Sequence, residues 1–217
     1  MKRILLAVIT EADVCSASFC ASLAQSVGAG LYNEVEFISA FVPANGNSSM
    51  AFNQAVTLAW EQKLDGFVCV SPRVSWNPQS LLALIDSDKD AVAMPVATKG
   101  GFEVSLGEVA RLQEDAESGE IKVRGASLDF IYLSPYAVNQ LCTAHPTVSY
   151  RNQEIKLVLQ CGDIYDSYHS PGDILAYRLR ERGIELWLST RNTAHRQDVI
   201  EYTNNFEKVL EQLKADG

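Results

Sequence analysis

Residues 66–96 read "GFVCVSPRVSWNPQSLLALIDSDKDAVAMPV". The opening run, 66–70, is short and apolar, as expected of a strand buried on both faces. It breaks at Pro72, presents Arg73 and resumes as Val74-Ser75-Trp76. Pro78 then takes a first-turn helical position, with Leu81, Leu82 and Ile85 on one face. A second apolar run, 91–96, follows the acidic corner Asp86-Ser87-Asp88. Strand, crossover helix and strand in this order form the repeating unit of a parallel sheet. Within it two features compete for chemistry: a cation at a strand end, and a pair of carboxylates two residues apart.

The same alternation runs upstream. Strand-like runs at 4–9 and 35–41 flank "SASFCASLAQSVG", an Ala/Leu-rich helix expected to close at Gly28. "SSMAFNQAVTLAWEQKLDG" is a second helix, with Ser48 or Ser49 as N-cap and Met50, Ala51, Ala55, Leu58 and Ala59 at helical spacing. The expected fold class is therefore α/β, a mainly parallel Rossmann-like sheet flanked by helices. Ligands of such sheets bind beyond the carboxyl ends of strands. That rule gathers residues 10–11, 42–43, 71–73 and 95–99 around one crevice.

Downstream the pattern changes. Residues 99–125 are charged and glycine-punctuated, which suggests a hairpin or flap inserted before the strand at 127–133. A helix and a Pro-broken loop follow, then a polar loop, a helix, a strand at 185–188 and another polar loop. The tail carries Val199, Ile200, Phe206, Val209, Leu210 and Leu213 on one helical face. The expected organisation is one domain over 1–217. Its parts are a nucleotide-binding half at 1–98, an acceptor and flap half at 99–196, and a C-terminal helix at 197–217.

Composition narrows the function classes. The 217 residues are 47% hydrophobic and 21% charged, as in ordinary globular proteins. No stretch approaches the roughly 20 apolar residues that cross a bilayer, and Glu11 and Asp13 end the only signal-like start. Five cysteines lack zinc-type spacing and read as reduced thiols of a cytoplasmic protein. The net charge of −9 disfavours a nucleic-acid partner, whose phosphates call for a basic face. Beyond "YRLRERG" at 177–183 no such face is evident.

Four blocks, in order, resemble the compact GT-A glycosyltransferase-like proteins of bacteria and their phages. "SSMAFNQAVTLAW" is similar to that family's helix with an "RNxxxxxAL"-type pattern. "LDGFVCVSPRVSWNPQSLLALIDSDKDAVAMPVATK" resembles "FIDSDxxWxPExLxxLLxxDKDVVxGxYPxK". "GASLDFIYLSPYAVNQL" parallels "GTGFxLIRRxVFExL". "SPGDILAYRLRERGIELWLSTRNTAHR" parallels "GEDxxFCxRLRExGxxIWxDPxxxxxH". Together they span most of residues 1–196. The resemblance implies sugar transfer from a nucleotide-diphosphate sugar to a hydroxyl acceptor, with modified DNA bases among the acceptors of phage relatives.

The resemblance also sorts the two competing features. Asp86-Ser87-Asp88 matches the family's surface "DKD" corner, whereas the family's metal-binding DxD aligns with Ser71-Pro72-Arg73. Two aspartates there hold Mn²⁺ or Mg²⁺, hard cations that prefer oxygen. Here both acids are missing, so no cofactor is expected, with Mn²⁺ or Mg²⁺ held by other ligands as the alternative, and a guanidinium stands in place of one of the acids. Charge develops on the β-phosphate as the glycosidic bond breaks, and Arg73 could meet it with a planar fork. A turn residue pairing with Asp65 or Asp88 is the plainer alternative, as is a domain that lost catalysis.

Asp173 aligns with the second acid of the family's "ED" pair, the general base of inverting members. Gly172 replaces the first acid, and "SPGD" is equally a good helix start. Among substrate-binding residues the resemblance places Thr10, Glu11 and Asp13 at base and ribose. Asn53 matches the helix asparagine, although Phe52 replaces its preceding arginine. Ser71, Lys99 and Asp129 join them, with His195 between Arg191 and Arg196 at the diphosphate and His169 beside the acceptor. Trp76 could stack on a sugar or serve as a core aromatic, as could Tyr132.

Overall fold

The structure is a computed structural model and describes residues 1–11, 15–98, 101–102, 104–106, 113–115, 117–160, 169–197 and 201–202. Asp13, Lys99, Cys161 and most of the tail helix expected over 197–217 lie outside the described residues; where that span is described, Gln197 ends one strand and residues 201–202 form another, not a helix.

Its centre is a seven-stranded sheet in the order β2 (Val35–Pro43), β1 (Lys2–Thr10), β3 (Gly66–Val70), β11 (Phe130–Leu133), β5 (Ala91–Ala93), β14 (Trp187–Leu188) and β9 (Ile121–Lys122). β1 pairs parallel with both β2 and β3, and β14 pairs parallel with β5. β11 runs antiparallel between β3 and β5, and β9 closes the far edge antiparallel to β14. The sheet is thus mainly parallel and flanked by helices, the α/β class expected from the sequence.

Alternation along the strands builds two cores. Leu5 and Ala7 of β1 face one layer and Ile4, Leu6 and Val8 the other. On the first face pack α2 (Ser48–Glu61), α4 (Pro135–Ala144) and α5 (Pro171–Arg180). There Phe52 meets Phe67 edge-to-face at 5.4 Å between ring centroids. On the second face pack α1 (Ala17–Tyr32) and α3 (Pro78–Ile85), with Trp76 wedged between Phe19 and Phe130. Cys69 and Cys142 are buried free thiols, as their apolar surroundings imply, and Cys15 and Cys20 are free as well.

Several expected boundaries move for local reasons. α1 continues through Gly28 to Tyr32 and ends on Asn33, whose amide bonds the Gly30 carbonyl. Gly30 is retained inside it because a Cβ there would sit 2.7 Å from the Phe37 ring. The N-cap of α2 is Asn47 rather than a serine, its side chain accepting from the Met50 amide at 3.0 Å. The run 91–96 splits at Met94-Pro95 into β5 and β6 (Val96–Thr98), since proline cannot donate to a ladder.

The described parts of the insertion form short strands. β7 (Gly101–Phe102) turns back on β6, and β8 (Val104–Ser105) pairs with β10 (Gly125–Ala126). β15 (Ala194–Gln197) links β6 to β4 (Val74–Ser75) and to β16 (Glu201–Tyr202). Asp86 caps α3 and pairs with Lys2 at 2.8 Å, while Asp88 pairs with Lys89 at 2.8 Å. The acidic corner therefore lies at the amino end of β5, the edge of the sheet opposite the crevice. No helix among the described residues is long and apolar enough to cross a membrane.

Candidate functional site

A cavity of about 1170 Å³ opens at the carboxyl ends of β1 and β3. Its lining combines Ile9 near the end of β1 and Glu11 just after it, and Ser71-Pro72-Arg73 after β3, with the segment 125–129 before β11. Ser170 to Asp173 at the start of α5 close the opposite wall, and Arg196 of β15 reaches in from the side.

Three helix starts border it. Ser16 is the N-cap of α1, accepting from the Phe19 amide at 3.1 Å. Ser48 opens α2, and Ser170 caps α5. All three serines line the cavity, so the positive ends of three helix dipoles converge on it. Arg73, solvent-exposed, adds a full positive charge on the same rim. Glu11, Asp129 and Asp173 line the same cavity, so its wall carries charge of both signs.

The loop that carries Arg73 is held from both sides. The Ser71 amide bonds the Asp129 carbonyl at 2.9 Å, and the Ser16 amide bonds the Pro72 carbonyl at 2.9 Å. Arg196 ion-pairs with the Asp129 carboxylate on the adjoining wall. Asp65 and Asp88, the plainer partners for Arg73, sit at the amino ends of β3 and β5, where Asp65 accepts from the Arg3 amide at 2.8 Å.

Asp173 completes a capping box with Ser170. The Ser170 hydroxyl donates to Asp173 Oδ2 at 2.7 Å, and the Asp173 amide donates to Ser170 Oγ at 3.2 Å. Its carboxylate also lines the cavity, so cap and cavity wall are one group. Close approach explains the neighbouring glycines. A Cβ on Gly172 would lie 1.7 Å from the Ala126 carbonyl oxygen, and one on Gly125 would lie 1.9 Å from Asp173 Oδ1. The "ED" position that resembles an acid therefore has no room for any side chain.

The cavity gathers Glu11, Ser71, Arg73, Asp129, Asp173 and Arg196 of the expected site residues. Thr10 is buried at the end of β1, and half-buried His169 immediately precedes Ser170. The other described ones stand apart from the lining. Asn53 is fully buried and clamps Leu159 with both amide ends, at 2.6 and 2.7 Å. Trp76 is a core residue whose indole N–H donates to Ser26 at 2.9 Å, leaving no ring face for a sugar. Arg191 packs over Gly119, whose Cβ would meet its Nε at 3.0 Å. His195 alternates with Arg196 along β15 and so points to the other face. Residues 42–43 and 95–98 do not line the cavity.

Sequence reasoning missed Ser16, Ser48, Ser105, Ser170 and the segment 125–128. Ser16, Ser48 and Ser170 had a signal, since each helix-starting serine near a strand's carboxyl end is a candidate wall; Ser105, on β8, had none. The segment 125–128 had none, because its approach to α5 is a long-range contact. Among the described residues no group of three or more His, Cys, Asp or Glu could hold a metal ion. Asp129 is engaged by Arg196, and Asp173 by Ser170.

No family model matches the chain, and no curated protein matches it. Among solved structures, A197 from STIV is similar at a TM-score of 0.53 and 12% identity, over 90% of this chain and 86% of that one. This is a likeness of fold alone. GalNAc-T7 with UDP, GalNAc and Mn²⁺ is more distant, at 0.47 and 8% identity, over 91% of this chain and 44% of that one. Mannose-1-phosphate geranyltransferase from Thermus thermophilus scores 0.40 at 8% identity, over 89% and 76%.

Proposed function

We propose that the chain is a glycosyltransferase that moves a sugar from a nucleotide-diphosphate sugar to a hydroxyl acceptor without a metal. One observation carries the reading: Arg73 and Asp173 stand on two walls of one cavity bordered by three helix N-termini. As the bond from the sugar's anomeric carbon to the β-phosphate oxygen breaks, its electron pair passes to the phosphate. Arg73 and the helix ends meet that charge. Asp173 takes the proton from the acceptor hydroxyl as its oxygen bonds the anomeric carbon. The free thiols fit a cytoplasmic setting.

Calorimetry with a panel of nucleotide-diphosphate sugars in EDTA tests the donor site. The native chain is expected to bind, and Arg73→Ala to bind about 10–100-fold more weakly, the loss of a charged hydrogen bond of roughly 1.5–3 kcal/mol. Equal binding by both proteins, or binding that requires a divalent ion, would overturn the arginine's role.

A second reading has its own support. Asp173 is committed to the Ser170 cap, and Gly172 has no room for a second acid. These features fit a GT-A-like domain that binds a nucleotide sugar without turning it over. Tight binding with no sugar transfer or hydrolysis across acceptors selects it.

A further inference from the structure

The site faces the carboxyl ends of the strands, and another surface of the molecule is unusual in a different way. Among the described residues β2 is the outer strand of the main sheet and pairs only with β1. It is nine residues long, VEFISAFVP, with Glu36 its only charge. Natural edge strands are usually blunted by lysines, bulges or internal proline. β2 has one proline, at its last residue, and keeps unbroken register with β1 from Val35 to Pro43.

α1 lies beside that edge. Its 16 residues, ASFCASLAQSVGAGLY, contain no charge. Its buried face is Phe19, Ser22, Ser26 and Gly30, while Val27 is 39% and Leu31 65% exposed. The helix hides its serines because Trp76 donates to both, at 3.0 and 2.9 Å. Its apolar flank is left outside. Cys20, Ala24, Val27 and Leu31 follow the 4-3-4 spacing of a helix-pairing seam, and all four are exposed.

The seam and the edge adjoin. At ~100° per residue, the helix surface runs from Ser22 at Trp76, through Gly30 at Phe37, to the Cys20–Leu31 seam. The seam therefore overhangs β2 on the side away from α3. Phe41 shares a β2 face with Val35 and Phe37 yet is 54% exposed.

We propose that the free edge of β2 and the overhanging flank of α1 form a two-fold interface with a second copy of this chain. Antiparallel pairing centred on Ser39 sets Phe37 against the partner's Phe41 and Glu36 against the partner's Val42. The two Glu36 carboxylates then stand ~20 Å apart, beyond the screening length at physiological salt. The α1 seams meet above the joined strands. In a chain of net charge −9 this face carries Glu36 alone, so a second copy meets little of the repulsion that opposes its approach elsewhere. A strand ~30 Å long with a helix layer ~10 Å above it offers roughly 600 Å² a side, ~1,200 Å² in total, enough for a specific dimer. No residue of β2 lines the cavity, so the pairing leaves it open.

Analytical ultracentrifugation of the full chain from roughly 1 to 100 μM tests this. A species of twice the 23.8 kDa chain mass is expected. Val27→Glu with Leu31→Glu is expected to return the chain mass with unchanged circular dichroism. Ser39→Cys in a Cys20→Ser background, which leaves the fold undisturbed, is expected to form a disulfide-linked dimer under mild oxidation. The Cys20→Ser protein alone is expected to form none. A monomer at every concentration overturns the proposal. So does a dimer that the two glutamates leave intact and the Ser39→Cys substitution fails to trap, which would use another face. Open polymers of increasing mass overturn it as well.

Discussion

Asp129 and Arg196 are joined as an ion pair on the cavity wall, the acid just before β11 and the base on β15. Both side chains are about one-fifth exposed, and the Asp129 carbonyl also holds the Ser71 amide. The pair thus ties the Arg73 loop to β15. Asp129→Asn removes the counter-charge from a mostly buried guanidinium, at a cost of about 1–3 kcal/mol. The same change leaves the cavity one charge more positive, so pyrophosphate is expected to bind a few-fold more tightly. Urea midpoints and calorimetry read the two effects separately.

Asp173 has two roles that different substitutions separate. Asp173→Asn keeps an oxygen for the helix cap and removes the base, whereas Asp173→Ala removes both. Under the transfer reading, turnover falls by about 10²–10⁴ in both variants. Stability drops appreciably only in the alanine variant, by ~1 kcal/mol for the lost N3 arm of the capping box, read as a lower melting temperature. Turnover that survives in the asparagine variant would reduce Asp173 to a capping residue.

Gly172→Ala tests the close approach of α5 to β10. The new Cβ would lie 1.7 Å from the Ala126 carbonyl, so backbone must move. The expected loss is about 3 kcal/mol or more, a urea midpoint lower by ~1 M or more. A stable alanine variant would mean that the two elements can separate freely.

What could be read in advance divides by range. β1, β2, β3, α2 and α3 were legible because apolar period and capping residues are local properties, and the strand-end rule found Glu11, Ser71 and Arg73. The resemblance added Asp129, Asp173 and Arg196. β11 entering antiparallel between β3 and β5 was not legible, since strand order depends on contacts far apart in sequence. Trp76 and Asn53 were illegible for a related reason. Either polar group suits a ligand, and only the buried partners, Ser26 and the Leu159 backbone, reveal that it is spent internally.

Asn53 offers a direct check of that distinction. Replacing it with alanine leaves a buried carbonyl and a buried amide of Leu159 without their partners. The expected cost is about 2–4 kcal/mol, read by urea unfolding. Affinity for a nucleotide sugar is expected to stay within about twofold of the native chain, because the residue is outside the cavity lining. A large affinity loss with little change in stability would restore it to the binding site.

Two acids near one turn carry opposite pH signatures. Asp115 is held well below the usual carboxylate range, first by the Lys89 ammonium at 2.8 Å and then by the Ser118 and Glu117 amides at 3.0 Å. A depressed folded value stabilises above the unfolded pKa of ~4 and is lost as pH falls through the folded one. Glu120, 6% exposed and bonded by the Ser87 hydroxyl at 3.2 Å, is pushed upward, chiefly by burial. A raised folded value means that folding favours its protonated form. Stability therefore declines as pH rises from ~4 through the folded value, and the deficit is complete above it. Glu120→Gln is accordingly expected to raise the urea midpoint at neutral pH, with the gain vanishing below about pH 4. Asp115→Asn is expected to lower the midpoint at neutral pH, with the difference closing only in stronger acid. Should Glu120→Gln destabilise equally at every pH, the Ser87 hydrogen bond, not the charge, would be what the fold requires there.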